Sequence, residues 1–146
     1  MFRSLSGVLT LLPAFLSVLH ASAAEPYAHP YVIESSVESH ALLLEIDTGS
    51  IVSMLPATVV DRLQSKRFAG FLRMWTLNGE RKATLYLVPY LQVGQCMLRD
   101  VIVYGSDTTG LKSSVGSDGL LGRQALAQLG TITLFGQQGL FSVTCR

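Results

Sequence analysis

The sequence has little charge of either sign and no useful excess of one. Only 14% of its 146 residues are charged, against 49% that are hydrophobic. That balance suits a compact globular chain and excludes a disordered polyelectrolyte or a collagen-like repeat. Setting aside Arg3, which belongs to the N-terminal segment treated below, ten basic side chains balance ten acidic ones. The longest basic cluster is Lys66-Arg67, with Arg62 and Arg73 nearby, and so short a cluster makes no phosphate track; nucleic acid is not expected as a partner. Cysteine is scarce too. Cys96 and Cys145 are the only two, and neither has a partner at ligand spacing, so no metal is expected. Gly116-x-x-Gly119-x-x-Gly122 lacks the Lys-Ser/Thr that completes a phosphate loop. No Ser or Cys nucleophile motif accompanies His40, which leaves hydrolysis by a side-chain nucleophile without its parts.

Long apolar runs are absent except at the N-terminus. Arg3 supplies a positive start, Leu5 to Leu19 an apolar stretch, and Ala21-Ser22-Ala23 a small-residue cleavage site. The apolar stretch is interrupted by Ser6, Thr10, Pro13 and Ser17 and falls short of the roughly 20 residues that span a bilayer. Residues 1–23 are therefore expected to be a cleavable signal peptide and 24–146 a single domain, periplasmic or secreted, without a stable membrane span. An uncleaved anchor is the alternative. In an oxidising compartment an intramolecular Cys96–Cys145 disulfide, intermolecular pairing and free thiols all fit the sequence.

What is present is a succession of short strand patterns. Ala24 to Pro30 is a Pro-punctuated lead-in. Tyr31 to Val37 and Ala41 to Asp47 flank the polar connection Glu38-Ser39-His40, which predicts a hairpin with His40 in its turn. Ile51 to Leu55 predicts a strand, and Pro56 to Leu63 a short helix with Val59, Val60 and Leu63 on its apolar face. Phe71 to Leu77 and Arg81 to Leu91 flank Asn78-Gly79, whose residues both tolerate positive φ, and a long hairpin follows. Its apolar residues Phe71, Met74, Trp75 and Leu77 are expected to pack. Cys96 to Tyr104 predicts a strand with Val101 and Val103 on one side, and Gly105 to Ser117 a long loop. Gly119-Leu120-Leu121-Gly122 predicts a strand entering a helix of good helix formers that ends at Gly130. Thr131 to Phe135 and Leu140 to Val143, joined by Gly136-Gln137-Gln138-Gly139, close the chain. Mostly β structure with closely spaced turns favours an antiparallel barrel or sandwich.

One stretch stands apart. Leu42-Leu43-Leu44-Glu45-Ile46 delivers Asp47 into a tight Thr48-Gly49-Ser50 turn. A carboxylate at the edge of a core costs several kcal/mol unless it is hydrogen-bonded, paired or protonated, so Asp47 is there for chemistry or for the turn.

The order of strand, Asp47-Thr48-Gly49-Ser50, short helix, Asn78-Gly79 hairpin, Gly119-Leu120-Leu121-Gly122 and helix resembles the retropepsin-like aspartic proteases over nearly the whole mature chain, and is most similar to the small single-domain members with bacterial secretion signals. The resemblance implies an all-β acid-protease fold, an antiparallel closed barrel with a flap hairpin and one or two short helices. It implies peptide hydrolysis by a water held between two carboxylates, with no cofactor. The chain has one Asp-Thr-Gly. Asp107-Thr108-Thr109 lacks the glycine and Asp118-Gly119 lies in the supporting motif, so the second carboxylate has to come from Asp47 of another copy in a two-fold homodimer. By the same resemblance Thr48 bonds across the dimer, Gly49 aims an amide at Asp47, and Ser50 donates to its outer oxygen. Leu77, Asn78 and Gly79 form the flap tip, and Leu120, Leu121 and Gly122 pack behind the catalytic loop. Retroviral members pair the arginine after the apolar-apolar-Gly motif with an acid just beyond the tetrad. Here Ile51 and Val52 stand in that place, so Arg123 is expected to be exposed, and Gln124 is a further departure. A peptide or protein is the expected substrate. A catalytically inactive peptide-binding or assembly module with the same fold is the competing reading.

Overall fold

Alternation of apolar and polar side chains builds most of this protein. The computed structural model describes residues 31–76, 79–114, 116–135 and 140–146. The expected signal peptide, the lead-in, Leu77, Asn78 and the 136–139 connection lie outside the described residues. Strands β1 (Val32–Val37) and β2 (His40–Ile46) form the first hairpin. Leu42 and Leu44 turn into the core while Leu43 between them faces out, the period-two pattern of a strand with one buried side. The turn is shorter than the sequence suggests. Glu38, at φ +51°, and Ser39 complete it, and His40 is the first residue of β2, opposite Val37. A two-residue turn with positive φ at its first residue matches the right-handed twist of its flanking strands.

Strand β3 (Ser53–Pro56) runs into helix α1 (Ala57–Arg62), which starts just after Pro56 and buries Val60, with Leu63 beyond its end also buried. Strands β4 (Arg67–Thr76) and β5 (Gly79–Val93) make the long hairpin, which begins earlier and ends later in the chain than the pattern suggests; Gly79, at φ +99°, is not a turn residue but the first of β5, opposite Thr76. Strand β6 (Cys96–Ser106) follows, and the expected loop after it contains helix α2 (Thr109–Ser114). The carboxylate of Asp107 accepts the Thr109 amide at 3.0 Å and starts a helix where a polar, glycine-containing composition had suggested none. Strand β7 (Gly119–Leu121), helix α3 (Arg123–Leu126) and strands β8 (Leu129–Phe135) and β9 (Leu140–Cys145) complete the chain. The described residues thus hold three short helices, one more than the sequence suggests.

Six strands close into a barrel in the order β1, β2, β7, β3, β6, β5 and back to β1 through Ser35 opposite Val93 and Ser36 opposite Gln92. Two of its joins, β2 with β7 and β3 with β6, are parallel. The expected barrel was antiparallel because turns reveal only the pairing of sequence neighbours, whereas β7 arrives from far along the chain and inserts between β2 and β3. Ile33, Leu44, Leu55, Leu91, Val101 and Leu121 are buried inside. β4 continues the sheet beyond β5 as its last strand among the described residues, and Phe71 and Trp75 on it are exposed rather than packed. The reason is that, among the described residues, β4 is the last strand of its sheet and meets no second layer. Helix α3 ends sooner than its composition allows because Leu129 is drawn into the core as the first residue of β8. Among the described residues no helix is long and apolar enough to cross a membrane.

The C-terminal hairpin β8–β9 is a separate two-stranded sheet, an arrangement marginal by itself in water. Phe141 and Leu129 anchor it in the core, and a disulfide joins Cys145 at its end to Cys96 at the start of β6, with Cα atoms 5.2 Å apart. Of the pairings the sequence left open, this is the one adopted. Replacing both cysteines by serine is expected to lower the unfolding free energy by about 2–4 kcal/mol, measured by urea denaturation, with amide exchange rising first in β8 and β9.

Glu38 ties the first turn to the segment between α1 and β4. Its carboxylate accepts the Ser65 hydroxyl at 2.6 Å, the Ser65 amide at 2.9 Å and the Gln64 amide at 3.1 Å. These bonds, that from the Ser65 hydroxyl foremost, hold its pKa below the ordinary 4.5. A carboxylate depressed in the folded state contributes stability that is full above its unfolded pKa and vanishes as pH falls through the folded value. Glu38→Gln is therefore expected to be less stable than the parent at neutral pH, and the two thermal midpoints should converge as the pH is lowered through and below about 4.5.

Candidate active site

Asp47 follows the last residue of β2 and is held from three directions. Its amide donates to the carbonyl of Leu121 at 3.0 Å, which continues the β2–β7 ladder by one rung. Its Oδ1 accepts the Gly49 amide at 2.8 Å, and its Oδ2 accepts the Ser50 hydroxyl at 2.6 Å. Both oxygens of a half-buried carboxylate are thus oriented by donors from its own turn, and bonds to an ionised acceptor are among the stronger ones. A Cβ on Gly49 would lie 3.0 Å from Asp47 Oδ1, so any larger residue there would press on the carboxylate that the amide holds. Thr48 and Gly49 are exposed.

The turn is fastened from behind by the segment that enters α3. The Arg123 amide donates to the Ser50 carbonyl at 2.9 Å, the Gln124 amide to the Ile51 carbonyl at 3.0 Å, and the Gly122 amide to the hydroxyl of fully buried Ser53 at 3.1 Å. Gly122 lies directly against the Val52 carbonyl, leaving no room for a side chain, and a Cβ on Gly119 would collide with the Met54 carbonyl. Leu121 is buried and Leu120 half-buried. The sequence motifs around Asp47 and around Leu120-Leu121-Gly122 therefore meet, in backbone contact. Arg123 is exposed, and it is its amide that joins the site.

Gln124 has a use that its residue type does not announce. Its side-chain amide accepts from the Ile102 amide at 3.1 Å and donates to the Asp100 carbonyl at 3.2 Å. Gln128 does the same one step earlier, accepting from the Arg99 amide at 2.9 Å and donating to the Arg99 carbonyl at 2.7 Å. Both side chains thus stand in for a neighbouring strand along β6, docking α3 and, with it, the backbone behind Asp47.

Residues directly opposite one another in a sheet share a face. Leu120 stands opposite Met54, Met54 opposite Tyr104, and Tyr104 opposite Leu85. All four are half-buried and lie on the side away from the core-facing Leu55, Val103 and Leu121. Tyr104 senses the site electrically. Burial, and after it the charge of Asp47, pushes its phenol above the ordinary 10.0. Alternation along β6 assigns Tyr104 to the face opposite Val103, but nothing in the sequence states that Asp47 lies across from it. Ser53 was likewise missed, being one hydroxyl in an apolar strand.

A cavity of about 400 Å³ opens beside the turn, lined by Tyr31, Ile46, Thr48 and Ile132. The other candidate aspartates are engaged elsewhere. Asp107 starts α2, while Asp118 accepts the Leu43 amide at 2.9 Å and pairs with Lys112 at 3.0 Å. Among the described residues no cluster of three or more His, Cys, Asp or Glu could hold a metal ion. Of the expected flap tip, Gly79 is opposite Thr76 at the end of the hairpin; Leu77 and Asn78 lie outside the described residues.

Residues 33–125 match the family described as aspartyl protease, a span that runs from β1 through the Asp47 turn into α3. A search among curated proteins finds no match. The electrostatic contact across the site can be measured directly. Removing the charge with Asp47→Asn is expected to lower the pKa of Tyr104 towards 10.0 without restoring it fully, since burial remains. A near-ultraviolet titration of the variant, with Tyr104→Phe to identify the transition, checks this.

Proposed function

This chain belongs to the aspartyl protease family, with retropepsin-like architecture, and we propose from that premise that it is a homodimeric aspartic endopeptidase in which Asp47 of each copy supplies one of two catalytic carboxylates. The observation that carries the reading is the state of Asp47, a half-buried carboxylate with both oxygens aimed by the Gly49 amide and the Ser50 hydroxyl. The other aspartates of its motif regions, Asp107 and Asp118, are occupied in holding local structure. A second carboxylate in an equivalent setting therefore comes from a second copy.

In that arrangement two carboxylates about 3 Å apart cannot both ionise, and they share one proton. The ionised member takes a proton from the water between them as its oxygen attacks the peptide carbonyl. The protonated member donates to the carbonyl oxygen, giving a neutral tetrahedral diol. When the C–N bond breaks, a proton passes to the leaving nitrogen, and an acid and an amine are released. The donors on Asp47 keep the dyad fixed through this exchange. Leu120, Met54, Tyr104 and Leu85 form a largely apolar floor for the substrate's side chains, and the β4–β5 hairpin is the flap that closes over an extended peptide and excludes water. Thr48, exposed beside the cavity with Ile46, Tyr31 and Ile132, stands where the second copy docks. The N-terminal pattern supports the reading of a mature enzyme that works in the periplasm or outside the cell.

The test is a peptidase assay from about pH 3 to about pH 8 on the parent and Asp47→Asn, with the mass measured in solution. The parent is expected to cleave as a dimer and Asp47→Asn to lose about a thousandfold or more in rate. After subunit exchange in an equal mixture, only about a quarter of the dimers keep both carboxylates, so the activity should fall to about a quarter of that of the same total parent protein. Activity surviving Asp47→Asn, or an active monomer, sinks the mechanism. A parent without hydrolysis whose Asp47→Asn variant still binds peptide points instead to a silent peptide-binding module.

A further inference from the structure

The β4–β5 hairpin has two unlike faces. One, carrying Leu72 and Met74, continues the row that contains Leu85 and Tyr104. Register places the other: Phe68 opposite Tyr86, Phe71 opposite Thr84, Arg73 opposite Lys82 and Trp75 opposite Glu80. On this outer face Phe68, Phe71 and Trp75 are 64%, 55% and 82% exposed. Apolar rings so open to water, gathered on one face, mark an interaction surface more often than lone exposed residues do. Cations are threaded among them. The Lys82 ammonium lies 3.7 Å from the centre of the Phe71 ring, Lys66 lies 5.7 Å from that of Tyr86, and Phe68 packs edge-on against Phe71.

The charge is lopsided as well. On this face Arg73 and Lys82, with Lys66 over the Tyr86 ring at its base, outnumber the single carboxylate Glu80, whereas Arg67 and Arg81, opposite Leu87 and Met74, belong to the other face. Arg73 pairs with Glu80 at 3.6 Å across open solvent, and Arg67 with Asp100 at 3.4 Å; exposed pairs of this kind hold their partners weakly. A surface that is positive calls for an anionic partner. One that also offers three bare aromatic rings calls for a partner that is apolar just beneath its charge. A soluble polyanion satisfies only the first requirement, and an anionic lipid surface satisfies both, since aromatic rings settle at the headgroup level while Lys and Arg meet the phosphates.

We propose that the outer face of the β4–β5 hairpin, through Phe68, Phe71 and Trp75 with Lys66, Arg73 and Lys82, docks this protein on anionic lipid membranes. The docked hairpin is the same one whose inner face looks toward the Asp47 site, so the membrane orients the protein. This inference does not depend on peptidase activity and stands or falls separately from it.

Trp75 is the chain's only tryptophan, so its fluorescence reports on this face alone. Titrating the mature chain with vesicles of phosphatidylcholine containing phosphatidylglycerol is expected to shift its emission to the blue and to bring the protein down with sedimented vesicles, with both effects weakened by salt. Lys82→Gln and Arg73→Gln should each reduce partitioning by about fivefold, the worth of one cation at an anionic surface. Phe71→Ala should reduce it as well, and Lys112→Gln, away from the hairpin, should leave it unchanged. Circular dichroism confirms that each variant is folded, and repeating the titration on Asp47→Asn, with the result expected to match the parent, separates docking from catalysis. No blue shift, equal binding to pure phosphatidylcholine, or an equal loss in Lys112→Gln overturns the proposal. So does a blue shift that grows with protein concentration without vesicles, which assigns the face to a second copy, or one produced equally by heparin, which assigns it to a soluble polyanion.

Discussion

The structure turns on a backbone crossing. The segment from Leu121 to Gln124 passes behind the Asp47 turn so closely that Gly122 touches the Val52 carbonyl, and amides and carbonyls of the two segments bond at Asp47, Ser50 and Ile51. A turn carrying a carboxylate at the rim of a core has every tendency to relax into solvent, because burial of charge is costly. Here it is fastened on one side by the β2–β7 ladder and on the other by the start of α3. The parallel joins of the barrel serve the same purpose, since only a strand arriving from far along the chain can bring a second backbone behind the first turn.

Carboxylates divide the remaining work. Glu38 clasps the α1–β4 connection, Asp107 starts α2, and Asp118 holds the approach to β7 against Leu43 and Lys112. Each takes donors from residues whose position it fixes. Asp47 takes its two side-chain donors from within its own turn, which orients the carboxylate without committing it to a distant element. Gln124 and Gln128 extend the same economy to amides, serving as rungs for β6 so that α3 stays seated behind the site.

Much of the fold was legible because it rests on local rules. Leu42 and Leu44 alternate, Asn78-Gly79 favours positive φ, and Pro56 suits a helix start, so strands, hairpins and α1 are found near where they are expected. The differences arise where a residue's surroundings, not its type, decide. Phe71 and Trp75 look like core residues, yet among the described residues β4 is the edge of its sheet and leaves both exposed. The segment after β6 looks like a loop, yet the Asp107 carboxylate caps a helix there. Helix-forming residues run on past Leu126, yet burial of Leu129 in β8 stops the helix. Tyr104 and Ser53 gave no sign of their place beside the Asp47 turn, since contacts between distant segments leave no periodic trace.

By itself the sequence determined a β-rich fold and an Asp-Thr-Gly-Ser turn at the end of an apolar strand. It also determined a second glycine-bounded motif about seventy residues later, because strand period, turn chemistry and the need for glycine at close approaches are properties of a few neighbouring residues. Only the tertiary structure decided that the two motifs touch, that Cys96 reaches Cys145, that the barrel closes through parallel joins, and that Phe68, Phe71 and Trp75 share one exposed face of the long hairpin with Arg73 and Lys82. These outcomes depend on which distant segments lie side by side, and that is settled by burial and hydrogen-bond pairing across the whole chain.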